Sequence, residues 1–277
     1  MRSFDYIAPR NIRETVEALA AHENAMVLAG GTDVLVRMKS RVLKPDVVVD
    51  IKRVRGLDEL HFDRKTGLTI GAAVTLRQVE LDQRVWRHFP ALAQGVAVIG
   101  SIQIRNLATV VGNICNAAPS ADSAPGLIAL GAKARIAGPA GRRTMKVENL
   151  LTGPGETALR PGELVTGIQV PMVPPRTGSA YARQTPRMAM DIAVVGVGAA
   201  VTLAGRTGVC EDARIVMGAV APTPLRAREA EKALRGKKPS DGLIEEAAER
   251  AADAATPISD VRGSAGYRRK VVKVLVR

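Results

Sequence analysis

Residues 103–114 read QIRNLATVVGNI, and the same polar and small-residue character continues to Asp122. The segment shows neither the period-3.6 stripe of a surface helix nor the alternation of a half-buried strand, so we expect a buried loop. Thr109, Gly112 and Asn113 supply a hydroxyl, bare backbone that a ligand can approach, and an amide that both donates and accepts. These features are typical of a loop that holds a phosphate or a cofactor.

A second stretch of similar character lies upstream. Residues 28–35 read LAGGTDVL, after a short apolar run and before a segment with helical spacing. In the predicted order of strand, glycine turn and helix, the N–H groups of Gly30, Gly31 and Thr32 can point at an anion. A tight turn capped by Thr32 or Asp33 explains the same residues, so both interpretations stay open for this stretch alone.

Taken together, the two stretches resemble the flavin-binding loops of a known family: the FAD-binding medium subunits of the molybdenum hydroxylases, which include xanthine dehydrogenase and carbon monoxide dehydrogenase. Three further motifs recur in the same order, at residues 119–122, 161–171 and 181–193. Because the motifs are ordered and spread over the chain, the resemblance covers its whole length.

The resemblance implies an α+β fold. Residues 1–173 would form a two-part FAD-binding domain of the PCMH type, with subdomains of about 1–55 and 56–173. Residues 174–277 would form a C-terminal α+β domain, an antiparallel sheet with helices. The cluster Pro171, Pro174 and Pro175 marks the expected linker, since proline interrupts helices and sheet ladders.

The resemblance also implies which residues bind the cofactor. The two loops would enclose the FAD pyrophosphate, Asp122 would contact a cofactor hydroxyl, and Arg183 would lie near the isoalloxazine ring. Asp122 equally suits the N-cap of the next helix, and both roles stay open. The implied FAD-binding set is Leu28, Ala29, Gly30, Gly31, Thr32, Asp33, Val34, Leu35, Ile99, Gly100, Thr109, Val110, Val111, Gly112, Asn113, Asp122, Leu164, Val165 and Arg183. No catalytic residue and no metal ligand is expected.

Two positions depart from the family pattern. Val111 stands where the family often has glycine, which crowds one backbone contact. Arg183 stands where many members have lysine, and its planar, bulkier cation can still stabilise a reduced, anionic flavin.

Local patterns predict several elements. Asn11 and Glu14 indicate a capped helix, and Ser240 indicates another. Thr223-Pro224 predicts the start of a helix over residues 225–234. Trp86 has ordinary core spacing, so we interpret it as a packing residue. Arg187 and Asp191 are expected to form a structural ion pair rather than a cofactor contact.

Composition limits the chemistry. The chain has 277 residues, 46% of them hydrophobic, with two cysteines and three histidines. Cys115 and Cys210 are too few for an iron–sulfur cluster, which needs about four thiolates, so any cluster belongs to another chain. No apolar run approaches the roughly 20 residues of a membrane span, and no signal peptide is evident, so we expect a cytoplasmic protein.

The net charge of +13 raises nucleic acid as a partner. Aromatic residues make up only 3%, and no helix-turn-helix or zinc-finger pattern occurs, so a basic face that docks an acidic subunit, or is simply solvated, is the simpler interpretation. We expect no nucleic-acid partner.

The favoured function is a flavoprotein oxidoreductase subunit. By the resemblance, FAD takes electrons from a 2Fe-2S small subunit fed by a molybdopterin-binding large subunit, and passes them to NAD or another acceptor. One alternative is a self-sufficient PCMH-type flavin oxidase, for which we expect more histidine and tyrosine around the substrate. Another is a basic nucleic-acid-associated protein, which would bind DNA or RNA with steep salt dependence.

Overall fold

The first part of the computed structural model is a small parallel sheet with two helices. The structure describes residues 1–187 and 189–277. The strand order is β1-β3-β2, with both pairings parallel, and the central strand is buried along its whole length, which explains its β-branched run. The elements are β1 (Asp5–Ile7), α1 (Ile12–Ala21), β2 (Ala25–Leu28), α2 (Val34–Lys39) and β3 (Val47–Asp50).

The second part is a five-stranded antiparallel sheet covered by short helices. Its strand order is β4-β5-β10-β6-β7, and a separate two-stranded sheet pairs β8 with β9. The elements are β4 (Leu60–Asp63), β5 (Gly67–Gly71), α3 (Leu76–Leu81), α4 (Gln83–His88), α5 (Pro90–Ala97), α6 (Ile102–Arg105), α7 (Val110–Cys115), α8 (Ser123–Ala129), β6 (Lys133–Gly138), β7 (Gly141–Lys146), α9 (Val147–Leu150), β8 (Leu151–Gly153), β9 (Glu156–Thr157) and β10 (Leu164–Val170).

The third part is an antiparallel sheet whose four strands follow chain order, with helices after the strands. The elements are β11 (Thr177–Gln184), β12 (Val195–Leu203), β13 (Cys210–Gly218), β14 (Leu225–Arg226), α10 (Arg228–Leu234), α11 (Asp241–Ala254) and α12 (Ala265–Val276). The α+β class, with a mixed N-terminal half and an antiparallel C-terminal sheet, is confirmed.

The predicted helix caps are confirmed. The N–H of Glu14 donates to Asn11 Oδ1 at 2.9 Å, and the N–H of Leu243 donates to Ser240 Oγ at 3.3 Å. Each bond satisfies one of the N–H groups that the first turn of a helix leaves without a partner.

The interpretation of Trp86 as a buried packing residue is wrong. The side chain is 42% exposed, and its indole N–H donates to the backbone oxygen of Glu80 at 2.7 Å. The pattern around Trp86 is not one helix, because the chain breaks at Phe89 and α5 restarts with Pro90 in its first turn. Phe89, at the break, is fully buried. Trp86 lies on α4, before the break, so the spacing of the residues on α5 does not predict its burial.

The predicted helix over residues 225–234 begins later than expected. Leu225 and Arg226 pair with Met217 and Val216 as a short edge strand, and α10 starts at Arg228. Pairing with the open edge of β13 satisfies backbone groups that the first helical turn would have left free. Tertiary pairing therefore overrides the local start signal.

Helix α8 lies between the second and third parts with backbone contact on both sides. A Cβ built on Gly126 would lie 2.6 Å from the backbone oxygen of Ala91, and one on Gly198 would lie 2.6 Å from the backbone carbon of Pro125. Only glycine allows both approaches. The N-terminal end of α8, where Asp122 lies, is therefore held firmly where the third part meets the rest of the chain.

Across the described residues, no helix has the length and apolar character needed to cross a membrane.

Candidate functional site

The glycine turn between β2 and α2 presents unused hydrogen-bond donors. The backbone N–H groups of Gly30, Gly31 and Thr32 have no acceptor among the described residues. Gly31 has a φ of +73°, which non-glycine residues rarely adopt. Asp33 occupies the N-cap position of α2 but makes no side-chain cap bond, so capping does not explain this turn. The donors are available to a ligand.

The central stretch is not the continuous buried loop that we expected. Residues 102–105 form α6 and residues 110–115 form α7, each started by a side-chain cap, Ser101 and Thr109. Leu107, between the helices, is 60% exposed. Helices of four and six residues are too short to show a period-3.6 stripe, which explains why the sequence pattern did not indicate them.

Two segments, the glycine turn before α2 and the central stretch that contains α6 and α7, touch through their backbones. A Cβ built on Gly30 would lie 2.2 Å from the oxygen of Leu107 and 2.7 Å from Cα of Ala108. Gly30 is therefore required for packing between the segments. Gly112 instead leaves bare backbone that a ligand can approach, since a Cβ on it would meet only Thr109 Oγ1, at 2.8 Å.

The segments border a cleft of about 1170 Å³, larger than the usual 300–1,000 Å³ range of small-molecule pockets. Most of the predicted site residues line it, in particular Ala29, Gly30, Gly31, Thr32, Asp33, Val34, Ile99, Thr109, Val111, Gly112, Asn113, Asp122, Leu164 and Val165.

Five predicted residues are not among those that line the cleft. Leu28 and Val110 are buried in the core, and Arg183 is buried behind Asp122. Leu35 lies on α2, where its Cδ1 approaches the position of a Cβ on Gly31, and Gly100 packs in the same way against the side chain of Ile104. These residues shape the cleft walls without facing the cleft.

The cleft also involves residues that sequence reasoning missed. The first part contributes the end of α1, Met26 and Val27 of β2, and Arg37 and Leu43, while residues 159–163 approach from before β10. Cys115 lines the cleft as well, and burial raises the pKa of its thiol to about 12, which keeps it protonated. Residues 161–163 belong to the motif at residues 161–171, but the other positions carry no local motif and come together only in the folded chain.

Asn113 and Thr109 can each donate into the cleft. Ser123 Oγ donates to Asn113 Oδ1 at 2.6 Å, which directs the Asn113 NH₂ group away as a donor. Thr109 Oγ1 accepts the N–H of Gly112 at 2.9 Å, so its own hydroxyl proton remains available. Both side chains line the same cleft as the glycine turn.

A buried ion pair supports the second segment from behind. Arg105 Nε donates to Glu80 Oε2 at 2.7 Å, its Nη2 donates to Oε1 at 3.0 Å, and its Nη1 donates to the oxygen of Ile99 at 2.9 Å. Burial acts to raise the pKa of Glu80, but Arg105 and Arg77 outweigh it, and the pKa is lowered. The bidentate geometry fixes α6 against α3.

Asp122 accepts hydrogen bonds from both other members of a three-residue cluster, Tyr181 and Arg183. Tyr181 Oη donates to Asp122 Oδ1 at 2.5 Å, and Arg183 Nη1 donates to Asp122 Oδ2 at 2.7 Å. Burial raises the pKa of Asp122 to about 6, against the opposing effect of Tyr181 and Arg183. Asp122 occupies the N-cap position of α8 without a cap bond, so its side chain serves the cluster and not the helix.

The expected pair between Arg187 and Asp191 is confirmed, with Arg187 Nε 3.4 Å from Asp191 Oδ2. The described residues contain no group of three or more histidine, cysteine, aspartate or glutamate side chains able to hold a metal ion. What they do provide is a large cleft with backbone amides, a hydroxyl and an amide as donors, which suits a phosphate-containing cofactor of dinucleotide size.

Two family models cover nearly the whole chain. One describes the FAD binding domain in molybdopterin dehydrogenase and matches residues 2–173. The other describes the CO dehydrogenase flavoprotein C-terminal domain and matches residues 180–277.

Individual proteins agree with the models. The glyceraldehyde dehydrogenase medium chain of Sulfolobus acidocaldarius is 35% identical over 98% of this chain and 95% of its own. The xanthine dehydrogenase FAD-binding subunit of Escherichia coli O157:H7 is 32% identical over 98% and 93%. A solved chain of the reconstituted CO dehydrogenase from Oligotropha carboxidovorans superposes with a TM-score of 0.94 at 32% identity, covering 100% of this chain and 96% of that one.

The chain therefore belongs to the FAD-binding medium subunits of the molybdenum hydroxylases. It is a subunit of an oxidoreductase, and FAD is its cofactor. The residues present fit this group, because the cleft combines unused backbone donors in the glycine turn with bare backbone at Gly112.

Replacing Thr109 with valine should lower both stability and FAD affinity. The variant keeps the side-chain shape but loses the cap on the N–H of Gly112, and lost N-caps cost about 1 kcal/mol. Urea unfolding and FAD titration measure the two effects. Thr109→Ser keeps the hydroxyl and is the matched control; equal behaviour of the two variants would contradict the capping role.

The raised pKa of Asp122 makes the stability of the folded protein depend on pH. Its folded value of about 6 lies above the ordinary value, so the native state binds the proton more tightly. This stabilisation is complete below about pH 4 and is lost as the pH rises through 6. Relative to Asp122→Asn, the free energy of unfolding of the wild type should fall by about 2–3 kcal/mol between pH 4 and pH 7. Urea unfolding at several pH values tests this; a difference that is flat or rises with pH refutes it.

Proposed function

We propose that this chain is the electron-transfer subunit of a molybdenum hydroxylase complex. It would take electrons from a 2Fe-2S partner subunit and pass them to NAD or another acceptor. The observation that carries the proposal is the cleft itself, where two backbone-packed segments present unused donors on a chain with only two cysteines. Bound FAD supplies the redox chemistry, so the chain needs only to bind it, orient it and tune its electrostatics.

Both segments would donate hydrogen bonds to the cofactor. The N–H groups of Gly30, Gly31 and Thr32 are proposed to donate to the pyrophosphate, with the side chains of Thr109 and Asn113 adding donors from the opposite wall. Backbone donors suit this role because they are fixed by the fold and lose little entropy on binding. The packing of Gly30 against Leu107 and Ala108 keeps the two walls in register.

The apolar wall would hold the flavin ring. Ile99, Leu164 and Val165 line the cleft, and the two strand residues are almost fully buried. Such a wall excludes water and keeps a planar ring in one orientation. Leu28, Leu35, Gly100 and Val110 would act indirectly, by fixing the segments that face the cofactor.

The partners are part of the proposal. A 2Fe-2S small subunit and a molybdopterin-binding large subunit would complete the complex, because two cysteines cannot hold a cluster here. Two of the similar proteins are themselves named medium chain or FAD-binding subunit. The net charge of +13 is suited to docking acidic subunits. The domain division at 173 and 174, the cytoplasmic location and the absence of a nucleic-acid partner remain predictions.

The experiment is co-expression of the tagged chain with its chromosomal neighbours, followed by absorbance spectra and metal analysis of what co-purifies. We expect stoichiometric FAD, iron and molybdenum, and reduction of the flavin only when the partner subunits and their substrate are present. Flavin that is reduced by a substrate and reoxidised by oxygen without partners would instead indicate a self-sufficient oxidase. A chain without flavin under any condition would refute the proposal.

A further inference from the structure

Several large apolar side chains are exposed together beside the cofactor cleft. Single exposed apolar residues are ordinary on protein surfaces, whereas a contiguous group usually marks an interaction site. Each member of this group is at least 37% exposed, and all of them lie on three neighbouring helices or directly after one of them. We call the group the α3–α6 patch: Leu81 at the end of α3, Trp86 on α4, Ile102 and Ile104 on α6, and Leu107 just after α6.

Hydrogen bonds to a single residue, Glu80, hold the patch together. The indole N–H of Trp86 donates to the backbone oxygen of Glu80, the residue before Leu81. The Glu80 carboxylate accepts two bonds from Arg105, which follows Ile104 on α6. The three helices are therefore fixed around Glu80, and their exposed apolar side chains form one surface rather than separate points.

The patch is continuous with the wall of the cofactor cleft. Ile104 belongs to both, since its side chain is exposed and also lines the cleft. The N–H of Leu76, at the start of α3, donates to the oxygen of Ala108 at 2.8 Å. Leu107 precedes Ala108, and the backbones of both pack against Gly30 of the glycine turn. A protein seated on the patch would therefore lie against the two segments that border the cleft.

The charge around the patch is positive. Residues 76–107 carry four arginines and two acidic residues. Both carboxylates are already paired with arginines, in the pairs Glu80–Arg77, Glu80–Arg105 and Asp82–Arg84. Arg87, next to Trp86 on α4, has no acidic partner among the described residues. The surface that complements this excess of positive charge is an acidic one.

We propose that the α3–α6 patch is the docking surface for the electron-donating 2Fe-2S subunit, with Trp86 as its anchor. Electron transfer weakens steeply with distance, so the donor must sit against a wall of the flavin cleft, and the patch adjoins such a wall. Tryptophan is enriched among the residues that dominate binding energy, and the bond to Glu80 holds this one in place. The donor's facing surface is acidic. This inference rests on the proposed function, which supplies the donor.

The test follows flavin and iron while the purified, co-expressed complex is diluted. Size-exclusion chromatography at several concentrations gives the dissociation constant of the iron-containing subunit. Trp86→Ser should weaken this association about thirtyfold, the lower limit for an interface anchor, and Leu81→Asp about tenfold or more. Both variants should keep stoichiometric FAD, because neither side chain lines the cleft.

Matched variants separate docking from loss of the fold. Val274→Asp changes a similarly exposed apolar side chain on α12, in the third part, and should leave the association unchanged. Arg87→Glu should weaken the association about tenfold at low salt and less at high salt, because salt screens exposed charges. If Trp86→Ser does not fold, the comparison of Leu81→Asp with Val274→Asp still decides, since the Leu81 side chain is mostly exposed.

Three results would overturn the assignment and leave the proposed function intact. The first is iron that stays with Leu81→Asp and Trp86→Ser as firmly as with the wild type. The second is loss of molybdenum with iron retained, which would assign the patch to the large subunit. The third is an equal loss of iron in Val274→Asp. A wild-type chain that binds no flavin, or binds flavin without any iron-containing partner, overturns the proposed function and this inference together.

Discussion

Replacing Gly30 with alanine is expected to abolish FAD retention. The added methyl would lie 2.2 Å from the oxygen of Leu107, and because the neighbouring atoms are backbone, no side-chain rotation can relieve the clash. The two segments must move apart, which misplaces the N–H donors of the turn relative to Thr109 and Asn113. We expect FAD affinity to fall at least about a hundredfold, and overpacking to cost about 1–3 kcal/mol of stability.

The measurement is FAD titration of purified protein, with urea unfolding in parallel. Gly178→Ala is the matched control, because a Cβ on Gly178 meets nothing within 4 Å and this glycine also lies outside the positive-φ region. It should bind FAD as the wild type does. Full FAD occupancy in Gly30→Ala would show that the packing of the two segments is not needed for the site.

Truncating Arg105 to alanine should produce the second large effect. The variant removes two hydrogen bonds to Glu80 and one to Ile99, and leaves a mostly buried carboxylate without its main partner. Removing one partner of a buried pair typically costs about 3–5 kcal/mol. Because Arg105 fixes α6, the loss should also displace Leu107 and Ala108 from Gly30 and weaken FAD binding about tenfold or more.

Urea unfolding of the apo chain and FAD titration distinguish the two consequences. Arg84→Ala is the control, since Arg84 pairs with Asp82 but its side chain is half exposed, and exposed pairs contribute less than about 1 kcal/mol. Arg105→Lys tests geometry, because an ammonium cannot reproduce the bidentate contact. If Arg105→Ala is no less stable than Arg84→Ala, the buried pair does not support the site.

The local features of the site could be predicted because neighbouring residues encode them. The strand, glycine turn and helix over residues 25–39 depend on contacts within a few positions, as do the caps at Asn11 and Ser240. Pairing the two loops required the family resemblance, since no local rule relates Gly30 to Leu107.

Features that depend on tertiary contacts were missed or misread. Gly30 was expected only as an N–H donor, and its packing against the backbone of Leu107 was not foreseen. The exposure of Trp86 followed from a helix break at Phe89, and the strand at Leu225 followed from the free edge of β13. The partners of Asp122 lie 59 and 61 residues away on β11, beyond the reach of spacing arguments.

Strand β10 is central in the five-stranded sheet but is the last strand of that sheet to leave the ribosome. Its Ile168 pairs with Ile70 on β5, 98 residues earlier. At about 5–20 residues per second, the nascent β5 waits about 5–20 s for its partner. During that interval β5, joined by β6 only for its last third, exposes an unpaired edge able to pair with other chains. Synthesis of this flavoprotein therefore passes through a period of aggregation risk that ends only when residue 170 has emerged.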